Sequence, residues 1–155
     1  MLQDLTESVT QLGEALAPHL TELAKIRDHL CPRQVLGVRM GMLAGRLFDL
    51  PLPQTNKRLL TFVETDGCFS DGVGVVTGCT MGHRTMRLVD FGKVAATFVD
   101  TKNGVAWRVA PHLEVRTRAA HYAQDSVNLW QTMLLGYQRM PDDELLVWHQ
   151  VDLTF

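Results

Sequence analysis

The first thirty residues place apolar side chains three or four positions apart, a spacing typical of one face of an α-helix. Pro18 interrupts this pattern, because proline removes a backbone donor and its ring clashes with the preceding turn. We therefore predict one helix over residues 2–16 and a second over 18–29. The apolar stripe consists of Leu2, Leu5, Val9, Leu12, Leu16, Leu23, Ile26 and Leu30, with His19 between its two halves.

The central part of the chain predicts a helix followed by strands. Pro32 suits the first position of a helix, and the apolar run that follows it predicts that helix. Residues 58–64 predict a strand, whereas the glycine-rich segment 66–80 indicates no single element. Three short β-like runs come next, TMRLVD, VAATFVD and VAWRVAP, and the dipeptide Asn103–Gly104 predicts a hairpin between the last two.

The C-terminal part predicts a strand over 113–119, a helix over 124–139 and a closing strand over 146–154. Helices followed by a meander and another helix favour a single-domain α+β fold, in which a mainly antiparallel sheet packs with several helices. We assign residues 1–17 to an N-terminal helical extension and residues 18–155 to the core domain.

Composition and charge exclude several classes of protein. The 155 residues can bury one core, and a hydrophobic content of 46% is ordinary for a globular protein. The net charge of −2 and the scattered basic residues give no nucleic-acid surface. No apolar run approaches the roughly 20 residues that span a membrane. With no signal peptide and three cysteines that cannot all pair, we expect a cytoplasmic protein with free thiols.

His29 and Cys31 are the first candidate metal ligands. Residues two apart do not share a helix face, so they converge on one ion only from an irregular turn, which the approach to Pro32 offers. Cys31 would also lie at a helix N-terminus, where the dipole favours the thiolate. Spacing alone leaves the alternative open that Cys31 is a small buried residue and His29 a loop residue.

Cys68 and Cys79 are the other candidate ligands, eleven positions apart. In one straight helix they would lie about 16 Å apart, whereas two sulfurs on one zinc lie within about 4 Å. They therefore share an ion within one chain only if the helix breaks, and Gly78 is the natural break. We expect one of them, preferably Cys79, to join His29 and Cys31, with the other in the pocket. Asp71 and His83 follow these cysteines at short spacing and are candidate pocket groups.

Three segments, HLCPRQVLGVRMG, ETDGCFSDGVGVVTGCTMG and DFGKVAATF, resemble in order and spacing the motifs of the FmdE family, which is named after formylmethanofuran dehydrogenase. The resemblance covers roughly residues 18–100 and implies an α+β core, a homodimer and a metal at these cysteine and histidine positions. It also adds Arg39 and Lys93 as pocket residues. The sequence shows none of the paired cysteines of the C-terminal zinc finger that many members carry.

The chain departs from the family motifs near the first cysteine. Arg27 stands where the family has a histidine, and Arg33 replaces the glycine after Cys-Pro. Both substitutions add positive charge, which suits a small-molecule or anionic ligand. The metal interpretation survives these changes, but the resemblance then implies nothing about the substrate.

Three functions are compatible with these residues. The first is a metal-binding protein with a Cys/His site, zinc by preference and nickel or iron as alternatives, because sulfur and imidazole ligands suit these metals. Three protein ligands and a water would make an open site whose zinc lowers the pKa of the water toward about 7. The second is a metal-free thiol enzyme, with Cys31 as nucleophile and His29 or His83 as base. The third, by analogy, is an accessory or cofactor-binding protein of a molybdenum or tungsten oxidoreductase.

Overall fold

The computed structural model describes residues 2–26 and 29–153, which form six helices and five strands. None of the helices in these residues combines the length and apolar character that crossing a bilayer requires. The elements in chain order are α1 Leu2–Ile26, α2 Pro32–Phe48, β1 Leu59–Val63, α3 Cys68–Thr77, β2 Met86–Leu88, β3 Ala96–Asp100, β4 Ala106–Pro111, α4 Val115–Tyr122, α5 Leu129–Arg139, α6 Asp142–Leu145 and β5 Leu146–Val151.

The five strands form one sheet in the order β2-β1-β3-β4-β5. Only the β1–β2 pair is parallel, and the other three pairs are antiparallel. The hairpin predicted at Asn103–Gly104 connects β3 and β4, and Gly104 adopts the positive φ of 76° that such a turn requires. The prediction of an α+β fold with a mainly antiparallel sheet is confirmed.

The prediction of two N-terminal helices is wrong, because α1 is a single helix with Pro18 inside it. It also continues across the proposed boundary between residues 17 and 18. Leu16 and Leu23, on either side of the proline, are both fully buried and pack with Val38 and Val76. Their burial offsets the backbone hydrogen bond that Pro18 removes, a cost of about 3 kcal/mol.

The strand predicted over 113–119 is also wrong, because these residues begin helix α4. Val115 and Thr117 alternate with charged residues and so imitate a strand, but the buried positions are Val115 and Ala119, one helical turn apart. Helix α5 starts at Leu129 rather than at 124, because the side chain of Asn128 caps it by accepting a hydrogen bond from the backbone N–H of Gln131.

The glycine-rich segment 66–80 contains helix α3, which ends at Gly78 in the left-handed conformation. This helix packs beside α2 against the sheet, and the core between them includes Val35, Met40, Phe69, Val73 and Phe98. The packing of these two helices determines which of the predicted site residues meet.

Candidate functional site

Helices α2 and α3 run in the same direction, so their N-terminal ends lie together. Two glycines allow their backbones to approach closely. A methyl group on Gly37 would lie 2.0 Å from the carbonyl oxygen of Phe69, and one on Gly72 would lie 2.3 Å from that of Gln34. Toward the other end of the helices, Gly41 faces Val76. No side chain larger than hydrogen fits at the closest points, so the two helix starts are held together by backbone contact.

The two cysteines at these helix starts are in contact. Cys31 is the N-cap of α2, and Cys68 is the first residue of α3. Their side chains are within hydrogen-bonding reach of each other, and both are partly buried free thiols. The structure therefore brings together two thiols that are 37 positions apart in the sequence.

Burial raises the pKa of Cys31, and the hydrogen bond with Cys68 raises it further. The backbone N–H groups of Gln34 and Arg33 lower it, but by less. The helix N-terminus therefore does not by itself favour the thiolate here, as the sequence suggested. A cation bound between the two sulfurs would reverse that balance, since it stabilises the charged form.

Gln34 lies at the same helix start and is fully buried. Its side-chain oxygen accepts a 2.9 Å hydrogen bond from the backbone N–H of Cys31 and so stabilises the N-cap. Its amide nitrogen is the buried side-chain donor that has no hydrogen-bond partner within the described part of the chain. An unpaired buried donor costs about 1–3 kcal/mol.

Cys79 lies apart from this pair, beyond the far end of α3. Gly78 turns the chain toward β1, where Cys79 is 1% exposed. Its thiol donates to the carbonyl oxygen of Leu59 at 3.3 Å and accepts from the hydroxyl of Thr61 at 3.4 Å. The helix therefore does end at Gly78, but Cys68, and not the preferred Cys79, is the cysteine beside Cys31.

The other candidate ligands do not join the cysteine pair. His29 is exposed in the bend before α2, and His83 is exposed in the turn after Cys79, with its Nδ1 3.0 Å from the Thr80 hydroxyl. Asp71 is partly buried, one turn after Cys68 in α3. Among residues 2–26 and 29–153, no three histidine, cysteine or acidic side chains come together as a metal site. Arg27 lies outside the described residues.

Arg39 and Lys93 lie at other places. The Arg39 side chain is 1% exposed and donates to the carbonyl oxygens of Tyr137 and Met140 and to the carboxylate of Asp142. It thus fastens α5 and α6 to α2. Burial lowers its pKa, and the carboxylate of Asp142 opposes that change. Lys93 is exposed before β3, at a groove that includes His112.

A cleft of about 380 Å³ opens beside Cys31. Its polar lining consists of Cys31, Arg33, Arg116 and Tyr137, and its largest apolar groups are Trp130 and Met133. The Tyr137 side chain is 3% exposed, and its hydroxyl is hydrogen-bonded to Arg116. Burial raises the pKa of Tyr137, while the charges of Arg116 and Arg33 lower it.

Sequence reasoning missed four of these cleft residues, Arg116, Trp130, Met133 and Tyr137. They lie on α4 and α5, about a hundred positions after Cys31, and Arg116 falls in the segment predicted as a strand. The apolar spacing of α5 indicates a helix, but nothing in that spacing indicates that this helix borders the cysteine. Of the cleft's charged groups, only Arg33 is recognisable in the sequence, as a departure from the family motif.

Known proteins resemble this chain over most of its length. A family model described as "FmdE, Molybdenum formylmethanofuran dehydrogenase operon" matches residues 26–147. A protein of Archaeoglobus fulgidus, described as a probable S-adenosyl-L-methionine-binding protein, is 27% identical over 127 residues, which are 80% of this chain and 34% of that protein. The chain thus spans about a third of the length of this curated relative.

A solved structure shares the fold. The crystal structure of an FmdE-like protein of the tungsten formylmethanofuran dehydrogenase type, from Syntrophus aciditrophicus, superposes with a TM-score of 0.66. The superposition covers 89% of this chain and 72% of the other, at 20% sequence identity. Identity at this level supports the architecture alone.

Proposed function

The chain belongs to the FmdE family, and from that premise we propose that it is a metal-binding protein whose site is built on Cys31 and Cys68. The contact between these two thiols, where two helices begin, carries the proposal. Thiolates are ligands for zinc and other soft or borderline metals. His29, exposed two residues before Cys31, is the proposed third ligand. Zinc remains our first choice of metal, ahead of nickel and iron.

The chemistry of the donor set fits such a metal. Two thiols that approach this closely repel each other as thiolates unless a cation lies between them. The backbone N–H groups of Gln34 and Arg33 already face the Cys31 sulfur and favour its charged form. A bound zinc would supply Lewis acidity and a water of lowered pKa. The chain itself supplies two sulfurs at helix starts that are held side by side through the glycine contact.

The cleft gives the proposed site a place for a ligand. Cys31 belongs both to the thiol pair and to the lining of the cleft. A molecule in the cleft would therefore lie against the metal-binding sulfur. Apolar walls with a few polar groups are typical of small-molecule sites, which favours a role in binding or transforming a small molecule over a purely structural one.

The thiol-enzyme alternative has less support from the geometry. His83 is in the turn after α3, and Cys68 is at the other end of that helix, which is about 15 Å long. A reactive cysteine has a lowered pKa, whereas burial and the contact with Cys68 raise the pKa of Cys31.

An accessory role is supported by the family description. That description refers to the molybdenum formylmethanofuran dehydrogenase operon, and the structural neighbour is named after the tungsten enzyme. We therefore associate the chain with a molybdenum- or tungsten-dependent dehydrogenase system, which it would serve by supplying a metal-bound ligand or by docking to the enzyme. A test is co-purification of the tagged chain with such a dehydrogenase, and Cys31→Ala serves to show whether the association needs the thiol pair.

Metal binding is tested with Co²⁺ as a spectroscopic substitute for zinc. The unmodified protein is expected to bind one ion per chain and to show an intense near-ultraviolet thiolate-to-cobalt absorption. Cys31→Ala and Cys68→Ser should each lose most of the bound metal while keeping the far-ultraviolet circular dichroism of the folded protein. Cys79→Ser is the matched control, because Cys79 lies outside the pair, and it should retain the metal.

The outcomes separate the roles of the cysteines. Full occupancy in either Cys31→Ala or Cys68→Ser would remove that residue from the site and contradict the proposal. Equal loss in a folded Cys79→Ser variant would mean that all three cysteines ligate and that the end of α3 rearranges. Elemental analysis of the protein purified without added metal then identifies the ion that it carries.

A further inference from the structure

The arginines of this protein fall into two groups. Six of them form ion pairs with aspartate or glutamate side chains: Arg39, Arg46, Arg58, Arg108, Arg118 and Arg139. Within the described part of the chain, Arg33 and Arg116 form none, although both line the cleft beside Cys31. Two guanidinium groups therefore face one concave surface without a carboxylate from the described residues to balance them.

The lining of the cleft keeps this charge uncompensated. Its described residues include no aspartate or glutamate. Glu114, the acidic residue nearest to Arg116 in sequence, is directed to Arg118 at 3.8 Å. The buried hydroxyl of Tyr137 is bound to Arg116 and lies close enough to Arg33 to respond to its charge. The side chains of Arg33, Arg116 and Tyr137 form a positive end with several hydrogen-bond donors.

The remainder of the cleft is apolar. Trp130 and Met133 of α5 line it together with Leu36 of α2 and Val94 before β3. Trp130 is 46% exposed although it is among the largest side chains of the protein. An aromatic ring that lines a cleft and is left half open to water offers a flat surface on which a ligand can lie.

We infer that the cleft binds an oxyanion, either a carboxylate or a phosphate, that is attached to a flat apolar body. The oxyanion would lie between Arg33, Arg116 and Tyr137, and the apolar body would lie against Trp130 and Met133. This inference deepens the proposed function and rests on it only in treating the cleft beside Cys31 as the ligand site.

Charge and geometry favour this class over the alternatives. A guanidinium has five donors in a planar arrangement that matches carboxylate and phosphate oxygens. Arg116 uses part of that capacity on Tyr137 and leaves other donors available. A cationic ligand would be repelled by both arginines, and a neutral one would leave their charge uncompensated. The apolar wall lacks hydrogen-bonding groups for a sugar or a highly polar ligand.

Three probes of one shape test the charge requirement: 2-naphthoate, 2-naphthyl phosphate and the neutral 2-naphthamide. They are titrated into ¹⁵N-labelled protein, and the indole N–H signals report binding. Trp130 lines the cleft, whereas Trp107 and Trp148 belong to β4 and β5. We expect one or both of the anions to shift the Trp130 signal selectively, and the amide to bind at least about tenfold more weakly. The stronger anion distinguishes a carboxylate ligand from a phosphate one.

Substitutions of the arginines locate the anion. Arg33→Gln and Arg116→Gln should each weaken binding of the preferred anion about tenfold or more, the effect of losing one charge-assisted hydrogen bond. Arg87→Gln, at an exposed position on β2, is the matched control and should leave the affinity nearly unchanged. Equal binding of the amide and the anions, unchanged affinity in both arginine variants, or no binding of either anion at millimolar concentration would overturn the inference.

The same variants separate this inference from the metal proposal. Arg33→Gln and Arg116→Gln should retain Co²⁺ absorption, because neither residue supplies a metal ligand. Cys68→Ser should lose the metal but still bind the anion, because Cys68 does not line the cleft. Anion binding without metal binding in the unmodified protein would uphold the inference and contradict the metal proposal, and metal binding without anion binding would do the reverse.

Discussion

Asp100 at the end of β3 shows how a single residue can depend on one partner. Its side chain is 3% exposed and accepts hydrogen bonds of 2.7 and 3.0 Å from the guanidinium of Arg58, at the start of β1. The backbone N–H of Lys102 donates to the same carboxylate. Arg58 is the main reason why the pKa of Asp100 lies below its ordinary value, and burial opposes it. The pair joins the outer ends of two neighbouring strands.

Replacing Asp100 should lower stability in a way that depends on pH. A carboxyl whose folded pKa is depressed stabilises the fold fully above its unfolded pKa of about 3.9, and the contribution is lost as the pH falls through the folded pKa. We expect Asp100→Asn to cost about 1–3 kcal/mol near pH 7, and the difference from the unmodified protein to shrink below about pH 4.

Urea denaturation at about pH 7 and at about pH 3, on either side of the unfolded pKa, measures this difference by circular dichroism. Asp66→Asn changes an exposed carboxylate and serves as the control, with little effect expected at either pH. A cost that stays constant across this range would mean that the charge of Asp100 contributes nothing and that only its shape matters.

Among the secondary-structure elements, the contact between α2 and α3 organises the site. The helices meet through backbone atoms at Gly37 and Gly72. Close contact of this kind transmits any change in helix spacing to the two helix starts, where Cys31 and Cys68 touch. The small residues along α2, with Gly37 and Gly41 one turn apart, therefore serve the positioning of the thiols as well as packing.

Adding one methyl group at this contact should separate the helices. In Gly72→Ala the new carbon would lie 2.3 Å from the Gln34 carbonyl oxygen and 2.8 Å from the Val38 nitrogen, and backbone atoms cannot move aside cheaply. We expect a loss of about 1–3 kcal/mol of stability, together with weaker Co²⁺ binding. Urea denaturation and cobalt titration measure the two effects.

Gly13→Ala provides a control of opposite sign. Gly13 lies on the exposed side of α1 with no atom within 4 Å of the added carbon, so alanine should stabilise the helix by about 0.5–1 kcal/mol. Should Gly72→Ala prove as stable as the unmodified protein, the close helix contact would not be what positions the two cysteines.

Across the whole molecule, the sheet presents two different faces. One contributes Val63, Phe98 and Val109 to the core beneath the helices. On the other, the ion pair of Glu64 and Arg108 borders a hollow that also includes exposed Phe91. Helix α1 buries part of its apolar stripe within the same chain, at Leu16 and Leu23, so less of that stripe is available for a second copy of the chain than the sequence suggested.

We predict that the protein nevertheless forms a homodimer or a higher symmetric oligomer. Large apolar side chains such as Val89, Phe91 and Val147 remain exposed, and exposed apolar surface of this kind favours association. Multi-angle light scattering at micromolar concentration should give at least twice the mass of one chain. A monomer across a dilution series in that range would exclude the oligomer.

Elements with local signals could be predicted from the sequence. The proline at the start of α2, the Asn-Gly turn between β3 and β4 and the alternation in β5 each act within a few residues, so they predicted those elements correctly. The three ordered motifs likewise indicated the family, because a family resemblance is a property of sequence. Local signals failed where packing opposed them, as at Pro18 and in α4.

The meeting of side chains from distant parts of the chain required the folded structure. Cys31 and Cys68 touch because two glycines allow two helices to lie side by side, and Cys79 turns to β1 because Gly78 ends α3. Arg116 and Tyr137 reach the cleft because α4 and α5 fold back beside α2. Such contacts depend on the spatial arrangement of elements far apart in the chain, and neither spacing nor periodicity along the sequence carries that arrangement.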